Sequence, residues 1–161
     1  MAQPKLAGGE GMTGQVVLER MYLKDASWES PKSPGVFTKT WRPEIQVDIN
    51  TRSNRLEEAR FEVVLTVTLR TKIESGKTAF IVEIQQAGVF VLEGLEGEVL
   101  HRVLGTVCPT TLFPYAREAV DNLVVKGGFP ALQLAPVNFE ALYAEALKKQ
   151  QGEAKPDAVT H

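Results

Sequence analysis

The 161-residue sequence has one cysteine, Cys108, and two histidines, His101 and His161. A lone cysteine closes no internal disulfide. A zinc site takes about four Cys/His-type ligands, more than this supply offers. Cysteine catalysis needs a base to form the thiolate, usually histidine. His161 ends a polar tail, and His101 lies seven positions before Cys108 in a segment of uncertain geometry. Cys108 therefore reads as a small packed apolar residue. No P-loop and no dinucleotide-binding G-x-G-x-x-G occurs. No apolar run approaches the roughly 20 residues that span a bilayer. The opening stretch "MAQPKLAGGEGMTG" lacks the apolar segment of a secretory signal. With the single cysteine, these features favour the cytoplasm and no membrane insertion. Charge of one sign is also missing: 18 Lys+Arg against 20 Asp+Glu leave a net charge of −2. That balance argues against an electrostatic grip on nucleic acid, which needs clustered cations.

What remains is the composition of a soluble globular protein, 43% hydrophobic and 24% charged. Residues 1–14 read as a flexible Gly-rich arm, 15–150 as one domain and 151–161 as a disordered tail. "GQVVLERMYLKD" is strand-like, but its apolar residues keep no single parity, as expected of a bulged strand or one buried on both faces. "EIQVDIN" alternates cleanly, with Ile45, Val47 and Ile49 on one side. "RFEVVLTVTLRTKI" continues the alternation. After the turn "ESGK", "TAFIVEIQQAG" sets Phe80, Val82 and Ile84 opposite Ala79, Ile81 and Glu83, which predicts an antiparallel hairpin. "RSNRLEEAR", with Glu57 and Glu58, reads as a charged loop.

Beyond residue 95 the period changes. Leu95 to Val107 predicts a helical turn or two. Ala116, Ala119, Val120, Leu123 and Val124 form a helical stripe, with Pro114 in its first turn and Gly127-Gly128 at its stop. On this reading Tyr115, Arg117 and Glu118 are first-turn residues rather than catalytic ones. A further stripe from Phe139 to Leu147 follows Asn138, a good N-cap. Strands first and helices after indicate an α+β fold with helices on one face of an antiparallel sheet.

Two features ask for a binding role. "WESPKSPGVFTKTW" holds Trp28, Phe37 and Trp41 on a stiff Pro/Gly-punctuated segment, which either lines an apolar groove or caps the core edge. "QQAGVFVLEGLEG" adds Val89, Phe90, Val91, Leu92 and Leu95 after the last predicted strand, more apolar surface than one small domain readily covers. Self-association and a residual groove are the expected outcomes.

Over residues 16–150 the sequence resembles the SecB family of bacterial protein-export chaperones. The resemblance rests on "MYLKDASWESPKSPGVF", "TAFIVEIQQAGVF" and above all "CPTTLFPYAREAVDNLVVKGGFPALQLAPVNFEALY". It implies a four-stranded antiparallel sheet with helices on one face, assembling as a homotetramer, a dimer of dimers. It implies an ATP-independent holdase that binds unfolded preproteins in the cytoplasm, keeps them translocation-competent and delivers them to the SecA motor. No cofactor, no metal and no covalent chemistry at Cys108 is implied. By position, Asp25, Glu29, Ile81 and Glu83 match the surface that contacts SecA. Val82, Ile84 and Gln86 match the oligomer interface, and Leu142, Tyr143 and Leu147 lie on a helix near the SecA contact. The expected client groove is Trp28, Phe37, Trp41, Val89 and Phe90. The chain departs from the family in its longer Gly-rich arm, an extra residue in "KIESGK" and a less acidic tail. Two other classes stay open at this point: a SecB-like chaperone dedicated to one client such as an antitoxin, and a small-molecule enzyme on the same fold.

Overall fold

A computed structural model describes residues 14–153. The expected arm therefore lies outside the described residues except for Gly14, and so does most of the tail. Residues 151–153, read from sequence as part of that tail, are helical. The order is β1 (Gln15–Glu29), a 3-10 turn (Gly35–Thr38), β2 (Glu44–Glu57), β3 (Arg60–Lys72), β4 (Thr78–Glu93), α1 (Gly97–Gly105), α2 (Val107–Lys126) and α3 (Phe139–Glu153).

The four strands form one antiparallel sheet in the order β1-β4-β3-β2. β3 and β4 are central, and their alternation decides which side is packed. Phe61, Val63, Leu65, Val67 and Leu69 of β3 lie opposite Phe90, Gly88, Gln86, Ile84 and Val82 of β4, and all of them are buried. Cys108, Leu112, Ala116, Val120 and Val124 of α2 complete this core from one side. β1 shows why its sequence kept no parity: register shifts at Leu18/Arg20 and Leu23/Asp25 insert one residue each time.

Three sequence expectations shift. β2 and β3 continue through "RSNRLEEAR" almost to a tight turn, so Glu57 closes β2 and pairs with Arg60 at 2.9 Å. β4 continues to Glu93, so Val89 to Leu92 are strand residues. α2 starts at Val107, which places Pro114 inside the helix. Pro109 occupies its first turn, where no N–H is required. Pro114 and Thr110 are both exposed, so the carbonyl left without an N–H partner faces water. The helix stops as the sequence indicated. The Gly128 and Phe129 N–H groups donate back to Val125 and Val124 carbonyls at 3.0 and 3.1 Å, with Gly128 at φ +90°. Asn138 caps α3, its Oδ1 accepting from the Ala141 N–H at 3.0 Å.

Candidate functional site

The sheet has one helix-covered side and one open side, and they carry different chemistry. On the open side the pairing aligns Glu29, Ile81 and Arg70 in one row, Ser27, Glu83 and Thr68 in the next, and Asp25, Gln85 and Thr66 in the third. Asp25, Glu29, Ile81 and Glu83, distant in sequence, thus share three neighbouring rows of one face. Further along, Glu62 accepts from the Tyr22 hydroxyl and from the Lys24 ammonium, at 2.8 Å to each carboxylate oxygen. The Lys24 and Tyr22 hydrogen bonds hold the Glu62 carboxyl below its usual value. Burial, reinforced by Glu62, pushes the Tyr22 phenol up to about 12.

On the helix side, at one end of the core, the aromatics gather. Trp28 stacks on Phe80 with centroids 5.0 Å apart, and Phe37 and Trp41 each lie 5.2 Å from Phe129. Trp28 and Trp41 mostly cap the core edge, whereas Phe37 remains 50% exposed. Val89 and Phe90 do not join them. Trp28 pairs with Val82 on β4, eight residues from Phe90, a separation of roughly 26 Å at ~3.3 Å per strand residue. Phe90 is buried beneath α2, and Val89, of opposite parity, points to the open side. The five expected groove residues therefore do not line one groove.

The continuation of the aromatic patch is β2 instead. Ile45, Val47 and Ile49 pair with Thr71, Leu69 and Val67, so they lie on the helix side. α2 packs over β4 and β3 and leaves this edge uncovered: Ile45 and Val47 remain 37% and 41% exposed. Beyond Ile49 the line enters a cleft of about 300 Å³ between β2 and the α1–α3 pair, lined by Leu104, Phe139, Leu142 and Tyr143 among others. His101 Nδ1 lies 2.6 Å from the Tyr143 hydroxyl and ties α3 to α1. The outer edge of β2 pairs with no strand among the described residues. Sequence reasoning placed Ile45, Val47 and Ile49 on one side of a strand and left open what covers that side. Their alternation is that of a buried strand.

Val82, Ile84 and Gln86, expected at the oligomer interface, lie inside the subunit. Val82 and Ile84 are completely buried under α2, and the Gln86 amide donates to the Tyr22 carbonyl at 3.2 Å. They form the floor, not the rim, of the layer between β1 and α2. The large exposed hydrophobic groups there are Leu23 and Tyr115, with exposed Glu118 and Asn122 beside them, around a hollow of about 330 Å³.

Cys108 is buried in the core, and desolvation pushes its thiol up to about 12. Such a group supplies no thiolate at neutral pH. Among the described residues no cluster of His, Cys, Asp and Glu is placed to hold a metal, and no helix is long and apolar enough to cross a membrane.

Residues 10–150 match the family model described as preprotein translocase subunit SecB. The chain belongs to the SecB family. A protein-export protein SecB from Marinobacter nauticus is 53% identical over 153 residues, 94% of this chain and 92% of the relative. One from Hahella chejuensis is 54% identical over 136 residues, 84% of this chain and 85% of the relative. The SecB family is one of export chaperones, not enzymes, and this chain is a SecB-type export chaperone. The fold is shared with a SecB-like chaperone of Mycobacterium tuberculosis solved in complex with an antitoxin peptide. That likeness has a TM-score of 0.63 at 18% identity, covering 76% of this chain and 91% of that one. So distant a neighbour shares the fold alone, whereas relatives about half identical are named for protein export.

Proposed function

We propose that the chain captures unfolded preproteins without ATP, along the uncovered helix-side line of β2, and presents them for export. The observation that carries this reading is an apolar line, Phe37 on the 3-10 turn and Ile45, Val47 and Ile49 on β2, continuing into the α1–α3 cleft, on a strand whose outer edge has no partner strand among the described residues. From Ile45 to Ser53 the strand extends roughly 27 Å at ~3.4 Å per residue. A client segment laid beside it can bury alternate apolar side chains against the line and pair its backbone with the β2 edge. Backbone pairing carries no sequence preference, and an open apolar line asks only for greasy side chains. Broad recognition of unfolded chains follows from the two together. Trp28 and Trp41 brace Phe129, against which Phe37 packs, and Phe37 contacts the client.

The open sheet face is a separate surface in this proposal. Glu29 lies beside Ile81 there, with Glu83 one row on and Asp25 two rows on, carboxylates strung along a face with an apolar contact at one end, which suits a basic partner surface. SecA is the partner assigned to it. Because this face lies across the sheet from the β2 line, one protein can hold a client and engage SecA at once. The assembly is a homotetramer, a dimer of dimers, working in the cytoplasm. Leu23 and Tyr115 beside the β1–α2 hollow are its contact groups, while Val82, Ile84 and Gln86 shape that surface from below. Several lines on one assembly then act together through high effective concentration.

The test is aggregation of a denatured preprotein followed by light scattering with no nucleotide present. A sub-stoichiometric amount per chain delays aggregation if the reading holds. No delay at equimolar protein refutes it.

A further inference from the structure

Across the open face the strand register sorts the ionisable groups by sign. The three rows that begin with Glu29, Ser27 and Asp25 also carry Glu83 and, from β2, Asp48, with Arg70 as the single cation in those rows. The next two rows reverse the sign. One joins Tyr22 to Ala87, Val64 and Arg52, and the other joins Arg20 to Val89 and Glu62. Lys24 is the residue inserted at the Leu23/Asp25 shift, and its ammonium reaches Glu62 on this face at 2.8 Å. Arg20, Lys24 and Arg52 thus stand against one acid, Glu62, which already holds Lys24. Arg20 and Arg52 are exposed, and neither forms a salt bridge among the described residues. Beyond them Arg60 is taken up by Glu19 and Glu57, at 2.7 and 2.9 Å.

Solubility alone asks only for interspersed signs. Here like charges are gathered into blocks, at the cost of their mutual repulsion, on a face that no helix covers. The Glu83 and Val89 rows are six strand residues apart, roughly 20 Å at ~3.3 Å each. That exceeds the screening length of about 8 Å at physiological salt, so the basic block keeps its own attraction for anions beside an acidic neighbour.

We propose that the open face is a docking surface of two signs, taking a protein partner whose cations lie over Asp25, Asp48 and Glu83 while its carboxylates lie over Arg20, Lys24 and Arg52. The proposal rests on the assignment of SecA to this face and adds the direction in which the partner lies along the strands. A partner surface basic throughout meets the second block as like charge, and a reversed one meets both blocks so. Ile81 in the first block and Val89 in the second are part-exposed and give each an apolar contact. Glu62, itself held by the Tyr22 hydroxyl, fixes the Lys24 ammonium, so little side-chain freedom is lost when a carboxylate arrives.

The experiment is titration calorimetry of the full chain with SecA at low and high ionic strength, with urea denaturation as the control for folding. R20Q/K24Q is expected to weaken SecA binding about ten-fold at low ionic strength, with the effect shrinking in high salt, while R20K/K24R keeps the parent affinity. Suppression of client aggregation is unchanged in both variants. Unchanged or tighter SecA binding by R20Q/K24Q, with Glu83→Lys still weakening it, overturns the two-signed surface and leaves SecA on the acidic rows. If Glu83→Lys also binds like the parent, the assignment of SecA to this face falls and the proposal with it. A loss that R20K/K24R shares, or that persists undiminished in high salt, is one of structure rather than charge and overturns the proposal as well.

Discussion

Replacing Phe37 by Ser, and Ile45 and Val47 by Thr, removes the exposed apolar line while leaving the sheet intact. Thr is β-branched like the residues it replaces and keeps their strand preference. The magnitude follows from what each side chain still exposes: 50% for Phe37, 37% for Ile45 and 41% for Val47. Burying such a side chain completely is worth about 1.5–3 kcal/mol, so a client covering the remaining fractions gains roughly 1 kcal/mol at each. Loss of all three weakens client binding by about 3 kcal/mol, on the order of a hundred-fold. Fluorescence anisotropy of a labelled, permanently unfolded preprotein reads this directly, with urea denaturation as the control for folding. An affinity within two-fold of the parent, at unchanged stability, refutes the placement of the client on β2. A hundred-fold loss with a collapsed denaturation midpoint refutes the claim that these groups are surplus to the core.

Four further outcomes are expected. Glu83→Lys weakens SecA binding in a pull-down titration but spares suppression of client aggregation; equal loss of both refutes the division between the two sheet faces. Gly127→Ala drives a Cβ into the Trp28 indole at Cζ2, and the displaced ring costs about 1–3 kcal/mol in urea denaturation; an unchanged midpoint counts against that contact. Thr71→Val removes a buried hydroxyl that has no hydrogen-bond partner, and the variant gains about 1 kcal/mol by the same measurement; a loss shows that the hydroxyl is satisfied. The Glu62 carboxyl is held low by Lys24 and Tyr22, so its contribution is present above its unfolded value and is lost as pH falls through the lowered folded value. Glu62→Gln therefore lowers stability at neutral pH and flattens the acid limb of the stability profile, and a variant with the parent's full acid dependence contradicts this.

Sequence alone determined the elements whose signals are local. The alternation in β3 and β4, the "ESGK" turn, the Gly-Gly stop of α2 and the Asn138 cap each depend on residues within a turn or a strand of one another. The shared parity of Ile81 and Glu83 was legible for the same reason, and so was the idle chemistry of Cys108, a thiol with no base nearby in an apolar stripe. Strand ends were less legible. "RSNRLEEAR" is charged because β2 runs along the sheet edge, where a strand needs no apolar face, and its composition therefore imitates a loop.

Tertiary structure decided which apolar residues are spent on the core and which are left over. Val89 and Phe90 look like surplus grease beside one another in sequence, but adjacent strand residues point to opposite faces, and α2 takes Phe90. Ile45 and Val47 look like core because they alternate, but α2 lies over β3 and β4 and does not reach them. Strand order, helix placement and the rows that join Glu29 to Ile81 arise from contacts between residues dozens of positions apart. A periodic pattern states that a face is apolar; only the packed fold states what covers it.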